Sequence, residues 1–190
     1  MSSIALRPLR PGDGRPIESL FGPKGACGGC WCMYWRLERH GKAWRAAKGE
    51  PNRQAFMRLI VKGEVCGILA FDGTVPVGWC CVGPKESFSR LKRAKKLQRD
   101  SAAETWAIVC LYLPPKYRRQ GLGTRLIAAA TELALRRGAS EVEGYPLEPR
   151  PGKSIPGAFA WTGVVRQFES CGFRPCPGRG RDLRPIYLKT

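Results

Sequence analysis

Residues 116–125 read KYRRQGLGTR, directly after the apolar run WAIVCLYL. A buried strand that gives way to a basic, glycine-bearing turn and then to a long helix aims the free N–H groups of the helix N-terminus at one point, together with the positive end of its dipole. The chemistry of that arrangement is anion binding. Gly121 and Gly123 remove the side chains that would hold a ligand away from those amides, and Arg118, Arg119 and Arg125 add mobile positive charge at the same mouth. A pyrophosphate is the natural guest. Two other phosphate motifs fail on spacing. A dinucleotide fingerprint begun at Gly121 needs Gly or Ala at position 126 and meets Leu126, and a hairpin rather than a βαβ unit precedes it. Gly152, Lys153 and Ser154 look like the tail of a P-loop, yet its first glycine would fall at Leu147, with Pro151 inside the loop.

A second group of residues has metal-ligand types. CGGCWC supplies Cys27, Cys30 and Cys32, and His40 is the chain's single histidine. No second CxxC follows and the histidine spacing is not that of a finger, so we expect no metal. Trp31, Tyr34 and Trp35 stand at i, i+3 and i+4, the spacing of one helical face.

The elements that position these residues follow from periodicity. Residues 3–9 read as an opening strand, and PGDGRPIESLFG as a turn into a short helix with Asp13 near its start and Gly22 at its end. Asn52 is the expected N-cap of a second helix whose Phe56, Leu59 and Ile60 recur at helical spacing. CGILAFDGTVPVGWCCVG predicts an antiparallel hairpin turning at Asp72-Gly73. Residues 85–99 hold seven basic residues and one acidic one, with no long apolar stripe, and read as a solvated loop or frayed helix. ETWAIVCLYL is apolar throughout, as a central strand covered on both faces should be. From Gly121 the period becomes helical, with Leu122, Leu126, Ile127, Ala130, Leu133 and Ala134 on one face until Gly138. SEVEGYPLEP is a further strand, WTGVVRQFESCGF a short helix ended by Gly172, and a last strand falls around 185–188.

A chain of 190 residues suffices for one domain with a real core. Its longest apolar run, 106–113, is too short to span a bilayer, and nothing at the N-terminus has signal-peptide character, so we expect no membrane partner and a cytoplasmic location. Nine cysteines, several inside apolar strands, fit reduced thiols better than a disulfide framework. The net charge of +18 favours polyanionic partners.

The RxxGxG pattern of Arg118, Gly121 and Gly123, set between strand and helix, resembles the acetyl-CoA motif of the GNAT superfamily of N-acetyltransferases. The order of elements is similar as well, and FESCGF resembles the family's FExxGF-type ending. The resemblance implies a single α+β domain over residues 1–190 with a mixed, mostly antiparallel sheet flanked by helices, 1–103 forming the acceptor side and 104–190 the acetyl-CoA side. It implies acetyl-CoA as co-substrate, held by main-chain groups of Leu111, Tyr112 and Leu113 and by Arg118, Arg119, Gln120, Gly121, Leu122, Gly123 and Thr124. Acetyl transfer would be direct: the acceptor amine attacks the thioester, a main-chain donor stabilises the oxyanion and the thiolate leaves. Many relatives place a glutamate base on the central strand, but the similar position here is Ala107. Glu104, three residues earlier, is a candidate base. The tyrosine that protonates the thiolate in relatives is replaced by Phe168, which leaves Tyr145 as a candidate acid. Glu143 shares Tyr145's face by alternation and is a candidate base or acceptor ligand, against a reading as a solvated strand residue. Trp31, Tyr34 and Trp35 fall where the family builds its acceptor wall.

A different class of function stays open: a basic nucleic-acid- or ribosome-binding module, resting on the charge and on residues 85–99, without a helix-turn-helix, RNA-recognition or zinc-finger signature. The acceptor amine, small molecule or protein, is not specified by sequence. Weak polyanion binding and a homodimer are among the open associations.

Overall fold

Strands β2 (Gly67–Asp72) and β3 (Val75–Pro84) form the hairpin on which the sheet is built. The structure is a computed structural model that describes residues 3–37, 42–149, 155–156, 159–176 and 186–190. Asp72 pairs with Val75, so the turn's central residues are Gly73 and Thr74, one position later than the sequence suggests, and Gly73 takes the positive φ of 60°. With β1 (Ala5–Pro8), β4 (Thr105–Tyr112), β5 (Glu141–Gly144), β6 (Arg174–Pro175) and β7 (Tyr187–Lys189), these strands make one seven-stranded sheet in the order β1-β2-β3-β4-β5-β7-β6. Every neighbouring pair is antiparallel except β4 and β5.

Each face of the sheet has its own apolar cluster, because strand residues alternate between them. On one face lies α4 (Leu122–Arg136), whose Leu122, Leu126, Ile127, Ala130 and Ala134 pack with Ile68, Val77, Val82 and Ile108. Helix α5 (Val165–Glu169) joins it through Phe168. The other face is covered by α1 (Gly14–Phe21) and α3 (Glu50–Val61), with Trp31, Trp35 and Tyr145 in the same cluster as Ala107 and Val109. A short α2 (Lys42–Ala47) precedes α3. The fold is thus a mixed sheet, mostly antiparallel, flanked by helices.

Three local expectations change. Helix α3 starts at Glu50 behind Gly49, with Pro51 in its first turn; Asn52 is not its cap but lies inside it, buried, donating to the Gly29 carbonyl at 3.0 Å. Residues 85–99 are not simply solvated: short 3₁₀ turns are pinned by the buried Phe88, Leu91 and Leu97. The strand expected over SEVEGYPLEP is only four residues long, after which Leu147 makes an isolated parallel bridge with Val164. Pro185, the expected start of the last strand, lies outside the described residues, as does His40.

Candidate active site

The turn into α4 is built from left-handed residues. Arg119 has φ 59° and Gly121 φ 75°, and no side chain caps the helix, so the first helical amides have neither a carbonyl one turn back nor a capping oxygen. A Cβ on Gly121 would meet nothing within 4 Å, which leaves these donors open to a ligand. Gly123 has a different job. A Cβ there would lie 2.3 Å from Nε2 of Gln167, so this glycine admits α5 against the start of α4. The arginines also differ from the mobile set expected. Arg118 Nε donates to the Leu113 carbonyl at 2.8 Å and Arg125 to the Ile4 carbonyl at 2.7 Å, bracing the turn, while Arg119 stays exposed. Gln120 folds back onto the Lys116 carbonyl at 2.7 Å.

Upstream of this turn, β4 parts from β5. Their parallel register runs from Thr105 opposite Glu141 to Ile108 opposite Gly144 and stops there, although β4 continues to Tyr112. On its other side β4 carries a bulge: Val82 faces Ile108 and Cys81 faces Cys110, leaving Val109 unmatched. The cleft this leaves between the strands is occupied at Leu111 by the segment 161–163: the Leu111 amide donates to the Trp161 carbonyl at 2.7 Å, and Gly163 packs against the Leu111 side chain. The side chain of Tyr112 lies edge-on to Phe21 at 5.5 Å, and Leu113 abuts Gly78 beneath α4.

On the face covered by α1 and α3, the β5 residues Glu141 and Glu143 and the following Tyr145 project together. Glu143 is fully buried, not solvated, and every oxygen is used. Its Oε1 accepts from Lys85 Nζ (2.9 Å), Arg99 Nε (2.7 Å) and Ser101 Oγ (3.0 Å), and its Oε2 accepts from the Tyr145 hydroxyl at 2.5 Å. Arg99 also pairs with Glu141, which accepts from Thr105 as well. Burial pushes the Glu141 carboxyl up, but the Thr105 and Arg99 hydrogen bonds and the Arg99 charge outweigh it and hold the group below its ordinary value. Glu143 stands opposite Ala107 in the parallel register, so β5 offers a carboxylate beside the place where β4 has none. Glu104 is separate: it precedes β4, exposed, and uses its carbonyl to accept from the Ser140 amide. Phe168 is fully buried, its ring filling the space a Cβ would take on Gly144.

The aromatic trio divides. Trp31 and Cys32 have φ of 46° and 57°, which breaks the expected helical spacing and sends Trp31 away toward Phe21, 5.7 Å between centroids. Tyr34 and Trp35 instead meet Trp161 at 5.1 and 5.8 Å, and Trp35 lies 6.4 Å from Tyr145 while its Nε1 donates to the Val109 carbonyl at 3.1 Å. The cysteines do not converge as ligands: Cys27 is exposed, and the buried Cys32 accepts from Trp79 Nε1 at 3.4 Å. Contact with Cys110, together with burial, pushes the Cys32 thiol well above its usual value. Among the described residues no group of three His, Cys, Asp or Glu side chains is placed to hold a metal ion.

The sequence singles out the turn, Tyr145 and Glu143 as candidates but gives no sign of the residues the fold brings against them, Lys85, Arg99, Ser101, Trp161 and Gln167. The cations were hidden in a run of like residues whose two ends fold inward. No signal short of the register would have matched them to β5.

Several solved structures share this fold. They include the PaiA N-acetyltransferase of Thermoplasma acidophilum in complex with coenzyme A, 16% identical over 99% of each chain, TM-score 0.53. The ribosomal-protein-alanine N-acetyltransferase of Brucella melitensis is 14% identical, covering 97% of this chain and 98% of its own, TM-score 0.53. The GNAT superfamily phosphinothricin acetyltransferase of Sinorhizobium meliloti, in complex with AcCoA, is 14% identical, covering 100% and 88%, TM-score 0.54. No curated protein matches the sequence. The pattern of the Acetyltransferase (GNAT) family matches residues 32–145, more than half of the chain and including the whole turn, the cleft strand and Tyr145. The chain belongs to the acetyltransferase (GNAT) family.

Proposed function

We propose that the protein transfers an acetyl group from acetyl-CoA to a primary amine by direct attack. The observation that carries this reading is the open, uncapped start of α4 behind left-handed Arg119 and Gly121. The amides of residues 121–124 and the exposed Arg119 would hold the pyrophosphate, and β4 at 111–113 would run beside the pantetheine arm. Similar proteins that hold coenzyme A or acetyl-CoA support the choice of co-substrate. The arm takes the Leu111 amide in place of the Trp161 carbonyl, so loading the cleft moves Trp161 aside.

The acceptor enters from the opposite face, against Tyr34 and Trp35. An amine with a pKa of about 10.4 must shed a proton before attack. Tyr145 and Glu143 are the titratable pair next to Ala107, and in this reading Tyr145 exchanges protons with the reacting groups while Glu143, anchored by Lys85 and Arg99, fixes its hydroxyl. Glu104 has no comparable place in the scheme. The nitrogen then attacks the thioester carbonyl, the C–S bond breaks, and the thiolate takes up a proton.

Calorimetry with acetyl-CoA, followed by amine acceptors with detection of released thiol, tests the proposal. Micromolar binding lost in Gly121→Trp, with turnover of at least one amine, is expected. Well-folded protein that takes up no acetyl-CoA would refute it.

One observation favours an added role in polyanion binding. Lys92, Arg93, Lys95 and Lys96 are exposed on a segment whose Leu91 and Leu97 are buried in the core. RNA binding that weakens steeply with salt, and is unaffected by Gly121→Trp, would separate this surface from the cleft.

A further inference from the structure

A groove of about 890 Å³ opens where β3 ends and β4 begins, between the turn after α3 and the last turn of α4. Met33, Leu59 and Trp106 give it apolar walls, and Arg36 and Arg137 reach it from two sides. Neither arginine makes an ion pair among the described residues. Arg137 donates to the Cys66 thiol at 2.9 Å. Arg36 is part-buried, lies over the Phe88 ring at 4.8 Å and has one terminal nitrogen 3.9 Å from the Cys81 sulfur. Its Nε is buried and, among the described residues, is the one buried side-chain nitrogen or oxygen without a hydrogen-bond partner. The acidic residue at the groove, Glu64, is exposed and faces Lys62 at 4.0 Å.

A guanidinium with one N–H unanswered and another on a distant thiol keeps a planar fork of donors in reserve, the geometry that matches a carboxylate. Turning the fork outward forfeits the long contact to Cys81 and the stacking on Phe88. The groove's inner wall adjoins the reaction strand. Gly83, which lines it, pairs with Ala107, Cys81 pairs with Cys110 beside the bulge, and Trp35, next to Arg36 in sequence, donates to Val109.

We propose that Arg36, assisted by Arg137, binds a carboxylate carried by the amine acceptor. The substrate class is then an amino-acid-like amine whose apolar body lies against Met33, Leu59 and Trp106. This inference rests on the acetyl-transfer reading above and narrows it.

The test compares four α-amino acids, phenylalanine, leucine, methionine and glutamate, each with its α-carboxamide, by titration calorimetry on the full chain with coenzyme A present and by thiol release with acetyl-CoA. At least one acid binds tenfold or more tightly than its amide and is acetylated in preference to it. Arg36→Leu abolishes the difference, Arg36→Lys keeps part of it, and acetyl-CoA affinity is unchanged in both. Arg137→Gln, on an exposed residue, narrows the ratio about threefold and serves if Arg36→Leu does not fold. Acids that bind no better than amides, or a preference that survives Arg36→Leu, overturn the inference. Acid-selective binding with equal acetylation of acid and amide overturns its acceptor half. Loss of acetyl-CoA binding in the wild type would refute acetyl transfer while the acid-to-amide binding ratio still reads the groove.

Discussion

The Tyr145 hydroxyl donates to Glu143 Oε2 at 2.5 Å, and both side chains are fully buried. Neither could be sheltered alone. A lone buried carboxylate is unstable, and Lys85 and Arg99, with side-chain exposures of 14% and 15%, supply the opposing charge. Glu143→Ala is therefore expected to cost about 3–5 kcal/mol by urea denaturation, because the largely buried Lys85 loses its ion-pair partner and Arg99 keeps only Glu141. A loss under about 1 kcal/mol would mean that water already reaches the cluster.

Tyr145→Phe separates support from chemistry. It removes one hydrogen bond to a charged group, about 1.5–3 kcal/mol, and leaves the ring against Trp35. If Tyr145 moves protons, kcat falls about 10²-fold or more while acetyl-CoA affinity holds. A kcat within twofold of wild type assigns it to packing.

The two glycines of the turn predict different variants. Gly121→Ala places a side chain at φ 75°, costing about 1 kcal/mol and screening the amides, and nothing nearby can relieve it. Gly123→Ala displaces the Gln167 amide, which also accepts from the Val164 amide at 3.0 Å. Shortening Gln167 to Ala should restore acetyl-CoA affinity to Gly123→Ala but not to Gly121→Ala, and a double-mutant cycle in calorimetry reads that coupling.

Trp161 reports on the cleft. Its carbonyl occupies the Leu111 amide and its ring touches Tyr34 and Trp35, so acetyl-CoA should change tryptophan emission in wild type and much less in Trp161→Phe. An unchanged response in the variant places the signal elsewhere.

Acid should unfold the protein through Asp13 and Glu141. Hydrogen bonds from Arg7, at 2.6 and 2.7 Å, hold the Asp13 carboxyl below its ordinary value, as Thr105 and Arg99 do for Glu141 against the opposing effect of burial. The unfolded chain binds these protons more readily, so their stabilisation is complete above the unfolded value of about 4 and is lost as pH falls through the lower native values. Denaturation between pH 6 and 2 should show the drop, and Asp13→Asn should flatten it.

Much of this was legible in the sequence. The hairpin, the apolar central strand and the change of period at Gly121 each state their structure locally, since alternation and helical spacing are set by the backbone itself. What stayed hidden depends on distant partners. Asn52 looks like a cap until Pro51 starts the helix earlier and the Gly29 carbonyl claims its amide. Trp31 fits a helical face until its positive φ turns it toward Phe21. The role of Lys85 and Arg99 needs β5, more than forty residues downstream of Arg99, before it has any meaning.

Lys85 and Arg99 close on a single oxygen of Glu143, so the excursion between them is a loop riveted at its base, with Leu91 and Leu97 as inner fasteners. Its basic crest at 92–96 stands between those fasteners, exposed at Lys92, Arg93, Lys95 and Lys96. A tryptic nick there should leave both flanks clasped.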